Sequence, residues 1–340
     1  MKKNQNKKIK AFSLIELSVV ITIIALISAA ALSLSVTDSG NEKVKITNQR
    51  IQDIYKAMGI HLAKKGYLPC PAPINKAKTD PSYGISGNCT TTPPAYGSGY
   101  WQSNTYSNLY YGMVPVQTLE LPNITAEDGF GSKLAYAVLQ GFTDPAKFGT
   151  SHSTTMTSSP NMIKIMRRIY TPSSSFIIET NTTISNYAMF VIISYGANKF
   201  GAWNAATTTQ NGASSLDVET WNYVTGNIDT STAGKADFYT DNGSNFPFII
   251  GYNKSGFDDI LFYKTRTEMV SDFKLYNLLP CSATLTQGSY TWTGSDNIKY
   301  GELVESSTQC SPGLRNGVYA PVKRCGAFGD WEDYLVKDCS

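Results

Sequence analysis

The sequence predicts an α+β fold in which a long amino-terminal helix packs on an antiparallel sheet and a small disulfide-rich β module follows. Three observations support this fold class. An apolar run leads into a segment with helical spacing and no proline before Pro69. Short aromatic and β-branched segments, separated by turn residues, come next. Four of the six cysteines lie in the last 60 residues, which is typical of a small module stabilised by disulfides.

The first element begins with an apolar run, Leu17 to Thr37, which holds 21 residues without a charge. As a helix it would be about 30 Å long, enough to cross the hydrocarbon core of a bilayer. Five lysines and no acidic residue precede position 11, so we expect the amino terminus to stay inside the cell. The sequence therefore predicts one membrane crossing followed by a large exported part.

Three interpretations compete for this segment. A cleaved secretory signal would use the small residues Ala29 to Ala31 as its cleavage site, and a plain membrane anchor would not be cleaved. The third interpretation is a leader of the prepilin type. Glu16 argues against the first two, because an ionised carboxylate at the head of an apolar run is costly in lipid unless a partner neutralises it.

The segment from Lys10 to Leu17 (KAFSLIEL) resembles the processing motif of type IV pilins and type II secretion pseudopilins. The resemblance implies that a prepilin peptidase cuts between Ala11 and Phe12 and methylates Phe12. It also implies that Glu16 pairs with the terminal ammonium of a neighbouring subunit during assembly. Ala11 departs from the glycine that the family usually has there. The implied fold is a pilin-like roll, and the implied location is the bacterial inner membrane, with a periplasmic domain, and then a filament or the cell surface.

The amphipathic half of the helix follows. Its apolar positions are 3, 4 or 7 residues apart, as on one face of a helix: Val44, Ile51, Ile54, Met58 and Leu62. Lys64, Lys65 and Gly66 then supply a helix end. We expect one helix from about residue 12 to residue 65.

Residues 67–106 are predicted to be a loop because they are rich in Pro, Gly, Ser and Thr. Cys70 and Cys89 are the only cysteines before residue 281, so we expect them to form a disulfide in an oxidising compartment. A zinc site is the alternative, but these cysteines have no CxxC spacing and no nearby histidine.

Four segments are predicted to be strands of one sheet that the helix covers: 133–139, 187–195, 246–250 and 260–264. Two polar segments, 151–160 and 202–245, are rich in Ser, Thr, Asn and Gly and are predicted to be surface loops that bury little.

The order of three short motifs resembles pseudopilins related to the major type II secretion subunit: Asp128 to Gly131 (DGFG), Ile193 to Asn198 (ISYGAN), and Asp258 to Ile260 (DDI). In that relative the last two motifs flank a calcium site. Asp258 and Asp259 are therefore candidate calcium ligands through their hard oxygen atoms. The alternative is a solvated turn that carries two acidic residues. The separation of about 60 residues between the last two motifs favours this alternative.

The carboxyl-terminal part starts with a predicted helix at 266–279, and Cys281, Cys310, Cys325 and Cys339 follow. The segments around these cysteines resemble a sushi-type module, which implies the pairs Cys281–Cys325 and Cys310–Cys339. Such modules bind other proteins through surface loops. The alternative is a stabilising tail without a ligand.

Composition and motifs indicate a structural protein. Beyond the leader the charge is nearly balanced, 24 basic against 26 acidic residues, so no nucleic-acid partner is expected. The two histidines and the lack of a recognisable catalytic motif predict that the chain is not an enzyme and needs no cofactor other than the calcium considered above.

These features divide the chain into a leader at 1–11, a membrane-spanning helix half at 12–37, a globular domain at 38–280 and a cysteine-rich module at 281–340. The resemblance implies a minor or tip subunit of a type IV pilus or secretion pseudopilus, with prepilin peptidase and other pilin subunits as partners. The alternative is an adhesin or surface-recognition protein that uses the helix as a mount and binds a protein or surface ligand through its last module.

Overall fold

The structure is a computed structural model of the chain. It describes these residues: 14–89, 101–102, 109–144, 148, 163–172, 177–212, 222, 246–252, 257–294, 298–307, 321–327 and 329–335.

The first element, α1, is a single helix from Leu14 to Lys65, as the sequence predicted. Four residues of the expected apolar face are buried: Ile51, Ile54, Met58 and Leu62. Val44, the fifth, is 39% exposed. The helix ends where Gly66 adopts a positive φ of 79° and its N–H bonds to the Leu62 carbonyl.

The main sheet has seven strands: β1 (Trp101–Gln102), β2 (Leu109–Met113), β3 (Ala135–Leu139), β4 (Ile163–Pro172), β5 (Ile177–Ser194), β6 (Phe246–Tyr252) and β7 (Ile260–Thr265). The strand order is β1-β2-β3-β5-β4-β6, and β7 also pairs with β5. All pairs are antiparallel except the parallel pair of β4 and β6.

The four predicted strands are all present, with shifted ends. The largest difference is β5, which begins ten residues before the predicted segment. Three strands of this sheet were missed, β1, β2 and β4. β2 contains a glycine and two tyrosines, and β4 carries a lysine and two arginines among its isoleucines, so neither has a clear period-two pattern. The short strand β1 falls inside the segment predicted to be a loop.

The apolar face of the sheet is covered by α1 and by the short helix α2 (Arg266–Phe273). Helix α2 starts with a capping box between Thr265 and Glu268. The Tyr55 hydroxyl of α1 donates a 2.6 Å hydrogen bond to Oδ2 of Asp272, which also accepts from Lys264 at 2.8 Å. The two helices are thus joined by a polar contact as well as by packing.

The segment after α1 is irregular and is held to the sheet. A disulfide joins Cys70 to Cys89, and both half-cystines are buried. Part of the polar segment 202–245 differs from the expectation that it buries little: Ala202, Ala205 and Asn222 are 0%, 4% and 0% exposed. Small and amide side chains fit such positions when the loop folds back onto the sheet.

The last part of the chain has its own small apolar cluster. Strands β8 (Thr284–Gln287) and β9 (Tyr290–Thr293) pair, and β10 (Leu303–Glu305), β11 (Val322–Cys325) and β12 (Trp331–Leu335) form a three-stranded sheet. A disulfide joins Cys281 to Cys325, one of the two pairs that the sushi-like resemblance implies. Cys310 and Cys339 lie outside the described residues. We refer to residues 281–335 as the terminal module.

Candidate assembly surface and helix-docking turn

The first half of α1 presents an unusual amount of apolar surface. Ten large apolar side chains there are 49% to 87% exposed: Leu14, Ile15, Leu17, Val19, Val20, Ile21, Ile23, Ile24, Leu26 and Ile27. Three of them are consecutive, so they point to all sides of the helix rather than to one face. A helix with apolar side chains on every side is stable only when other apolar groups surround it. We call Leu14 to Ile27 the apolar stem.

The two hydroxyl side chains of the apolar stem, Ser18 and Thr22, are satisfied within the helix. The Ser18 hydroxyl donates to the carbonyl of Ile15 and the Thr22 hydroxyl donates to the carbonyl of Ser18, both at 2.8 Å. Hydroxyls bonded to the preceding turn need no partner outside the helix. The stem can therefore be transferred into an apolar environment without leaving these donors unpaired.

Within the part of the chain that the structure describes, no helix combines the length and mean hydropathy of a membrane span. The predicted span, Leu17 to Thr37, includes residues 29–37, whose side chains are outside the described set. Ala11 and Phe12, the predicted processing site, also lie outside the described residues. Glu16 lies within α1, but its side chain is not described, so its pairing role stays a prediction.

Between its two halves α1 is fixed to the globular part by the segment 127–132, which we call the docking turn. One guanidinium nitrogen of Arg50, Nη1, donates to the carbonyls of Glu127 and Asp128, at 3.0 Å each. The Gly129 N–H donates to Oγ1 of Thr47 at 2.9 Å. The same Thr47 hydroxyl donates to the Lys43 carbonyl at 2.8 Å, so both its hydrogen-bonding directions are used.

Gly129 is required by the close approach of the docking turn to α1. A Cβ atom at this position would lie 2.1 Å from the carbonyl oxygen of Lys43, far inside van der Waals contact. Only glycine lets the two backbones meet at this distance. The DGFG motif is thus a contact between the turn and the long helix.

The Asp128 carboxylate connects the docking turn to the central strand. Its Oδ1 accepts the N–H groups of Phe130 and Ser132, at 2.9 and 2.8 Å, and its Oδ2 accepts the hydroxyl of Ser194 at 2.7 Å. Burial raises the pKa of this carboxyl, while the bonds from Ser132 and Ser194 lower it. The first two motifs, far apart in sequence, therefore meet through Asp128 and Ser194.

The third motif meets the second one at a tight turn. Gly196 has a φ of 59°, and a Cβ there would lie 2.4 Å from the Asp258 carbonyl oxygen. Oδ2 of Asp258 accepts the N–H groups of Ala197 and Asn198, at 2.6 and 2.8 Å. The carboxylate thus stabilises the turn.

Asp259 is oriented by a different set of groups. Its Oδ2 accepts the side-chain amide of Asn222 at 2.7 Å. The Asn222 carbonyl accepts the Tyr195 hydroxyl at 3.0 Å, and Tyr195 is hydrogen-bonded to Tyr111. Among the described residues no three His, Cys, Asp or Glu side chains form a cluster suited to a metal ion. Asp258 and Asp259 remain candidate calcium ligands by resemblance alone.

The terminal module has exposed aromatic, apolar and charged side chains on and just before its three-stranded sheet. Tyr300, Leu303 and Tyr334 are 45% to 50% exposed. The Arg324 guanidinium lies 5.9 Å from the ring centre of Tyr334 and is hydrogen-bonded to Glu332. Tyr and Arg are enriched where proteins bind partners. We call these five residues the module patch.

Sequence reasoning missed the residues that hold α1 in place, Thr47 and Arg50, because polar side chains beside an apolar stripe usually face solvent. One signal was available. Thr47 lies three residues before Arg50 and four before Ile51, which places it next to the predicted buried face, and it is fully buried.

Residues 6–32 match the family model described as the prokaryotic N-terminal methylation motif. The chain therefore carries the signature of type IV pilins and pseudopilins in the segment where the KAFSLIEL motif lies. No curated protein and no solved structure matches the chain.

Proposed function

We propose that the chain is a minor or tip subunit of a type IV pilus or type II secretion pseudopilus. The methylation motif supports a processed subunit of the pilin or pseudopilin type. The observation that carries the proposal further is the apolar stem, whose ten exposed apolar side chains surround the helix. Such a surface suits first the bilayer and later the helices of other subunits.

In this proposal prepilin peptidase cuts before Phe12 in the inner membrane, with the globular part in the periplasm. The new terminal ammonium then lies four residues before Glu16, about one helical turn away. A carboxylate in an apolar helix bundle is favourable only beside a positive charge. Pairing with the ammonium of a neighbouring subunit would therefore set the axial register of the filament.

The test is mass spectrometry of the mature amino terminus of the full chain expressed in its host. We expect an N-methylated phenylalanine at position 12. A start near Leu32, or an intact Met1, would reject the pilin route. The variant Glu16→Ala should be processed and yet fail to enter filaments. The matched control is Glu42→Ala, which removes an exposed acid from the same helix and should assemble normally.

The minor or tip position is supported by the terminal module. A shaft subunit must repeat at close spacing, and a module with its own apolar cluster and disulfide adds bulk that such a repeat must accommodate. This reasoning divides the chain at about residue 280 into a filament-forming part and an added part. Immunogold labelling of 281–340 should mark filament ends and not their full length.

A second function, surface recognition by a filament-mounted adhesin, is favoured by the module patch. Deletion of 281–340 separates the two functions. Loss of attachment with intact filaments would favour recognition, and loss of filaments would favour a purely structural module. The double variant Leu303→Ser/Tyr334→Ser is the finer probe, because both side chains are about half-exposed and their removal should leave the fold intact.

A further inference from the structure

Lys133 is a charged side chain that the proposed function does not use. It lies just before β3 and is 0% exposed. Its ammonium nitrogen, Nζ, donates to three backbone carbonyl oxygens: Ile74 at 2.8 Å, Lys76 at 2.7 Å and Thr207 at 3.1 Å. A fully buried lysine is rare unless it is paired, and here carbonyl dipoles serve as its partners.

The three carbonyls come from two segments that are far apart in sequence. Ile74 and Lys76 belong to the irregular segment after Cys70, and Thr207 belongs to the segment after the turn at Gly196. The backbone of Lys133 is attached to the second segment as well, since its N–H donates to the Trp203 carbonyl at 2.8 Å. The Lys133 side chain is therefore a contact that joins the 74–76 segment to the 202–211 segment.

The ammonium group of Lys133 is hydrogen-bonded to carbonyls and not to a carboxylate. The nearby Glu127 carboxylate forms its ion pair with Lys78, and the Tyr83 ring centre lies 5.8 Å from Nζ. Burial lowers the pKa of the Lys133 amine to about 8, with Glu127 raising it and Lys78 lowering it further. At neutral pH the side chain is thus mainly an ammonium ion.

The number of donors matches the number of acceptors. A primary ammonium group has three N–H donors and no acceptor, and each donor has one carbonyl. Replacing the group by an apolar one would leave buried carbonyl oxygens without this partner, which is costly. The arrangement has the form of a binding site for a primary ammonium ion.

We propose that the carbonyls of Ile74, Lys76 and Thr207 form an ammonium site that the chain's own Lys133 occupies, and that this occupant holds the two surface segments together. When the lysine side chain is removed, the site binds a free primary alkylammonium ion. n-Propylammonium has the three carbons and the nitrogen that Lys133→Ala deletes, so it is the matched ligand.

The experiment is hydrogen–deuterium exchange, read by mass spectrometry, on the full chain in detergent micelles at pH 7. In Lys133→Ala we expect faster exchange in the segments 72–87 and 202–211. Millimolar n-propylammonium chloride should restore protection there, whereas tetramethylammonium chloride, which has no N–H donor, should not. Equal effects of both salts, or no effect of either, would overturn the proposal. Lys64→Ala, which removes an ion pair between two exposed side chains outside these segments, should need no rescue.

A second variant covers the case in which Lys133→Ala does not fold. Lys133→Met keeps most of the volume and removes the charge and the donors, so it should lose protection in both segments and should not respond to n-propylammonium. Wild-type protection in Lys133→Met would contradict the proposal. In the unmodified protein, acetic anhydride should label Lys78 long before Lys133, and equal labelling would contradict it too.

Discussion

The two halves of α1 are built from similar apolar residues and are used in opposite ways. In the apolar stem, Leu14 to Ile27, the large side chains are 49% to 87% exposed. In the second half Ile51, Ile54, Met58 and Leu62 are at most 1% exposed, and polar residues lie on the other side. The second half is stabilised by its own sheet, whereas the stem has no covering partner among the described residues.

This contrast shows how one helix can serve two assemblies. An apolar stripe of one width fits one sheet, and an apolar cylinder fits a bilayer or a bundle of like helices. The docking turn contacts α1 between these two halves, at Lys43 to Arg50. It therefore fixes the direction in which the stem leaves the globular part. Substitutions in the two halves should consequently affect different measurements.

The largest effect on stability is expected from Ile54→Ala. Ile54 is fully buried on the face of α1 that packs on the sheet. The variant should therefore lower the free energy of unfolding by about 2–5 kcal/mol. Urea unfolding of the full chain in micelles measures this. A loss below about 1 kcal/mol would show that the sheet does not depend on α1 for its core.

The next effect should be confined to the terminal module. The variant Cys281→Ser/Cys325→Ser removes a disulfide that spans 44 residues and should lower the stability of the module by about 2–5 kcal/mol. Hydrogen exchange should rise in 284–335 and stay unchanged in α1. A matching rise in α1 would mean that the module and the main sheet unfold together.

The docking turn should respond to a single methyl group. In Gly129→Ala the new Cβ would meet the Lys43 carbonyl, and we expect a loss of about 1–3 kcal/mol from the forced shift. Gly40→Ala is the control, because nothing lies within 4 Å of its Cβ position. It should be neutral, or stabilising by up to about 1 kcal/mol, since alanine favours helix.

The long helix and its buried face could be predicted from the sequence, because the spacing of Ile51, Ile54, Met58 and Leu62 is a local property of the chain. The strands with several adjacent aromatic or β-branched residues, such as β5, were predicted for the same reason. The parallel pairing of β4 and β6 could not be, since it depends on contacts between segments about 80 residues apart.

The contacts of the candidate site were less accessible to sequence reasoning. The motif residues Asp128, Gly196 and Asp258 were singled out, but as parts of three separate motifs and, for Asp258, as a calcium ligand. In the structure the carboxylates of Asp128 and Asp258 accept backbone N–H groups, and Asp128 also accepts the Ser194 hydroxyl. Gly196 lies against the Asp258 carbonyl. Nothing local in the sequence encodes that Asp128 reaches Ser194, or that Lys133 reaches carbonyls on two distant segments.

A smaller effect is expected from pH. The folded pKa of Lys133, about 8, lies below its ordinary value of 10.5. Between these values the unfolded chain binds a proton that the folded chain lacks, so stability rises with pH, by at most ~1.4 kcal/mol per pH unit. The difference in unfolding free energy between wild type and Lys133→Met, followed from pH 8 to 10, should show this slope. If this free-energy difference did not change between pH 8 and 10, the pKa of Lys133 would not be lowered by folding, and the amine would be exposed to water.

The smallest effect on stability is expected from Ile23→Ala in the apolar stem. Ile23 is 50% exposed, so its truncation should change the free energy of unfolding by less than about 0.5 kcal/mol. The expected loss for Ile54→Ala is about 2–5 kcal/mol. Its effect should instead appear in assembly, measured as the fraction of subunit that sediments with filaments, because the lost methyl groups would have packed against another subunit. If Ile23→Ala and Ile54→Ala lowered stability equally, the stem would be part of the core of the chain, and the division of α1 into two functional halves would be wrong.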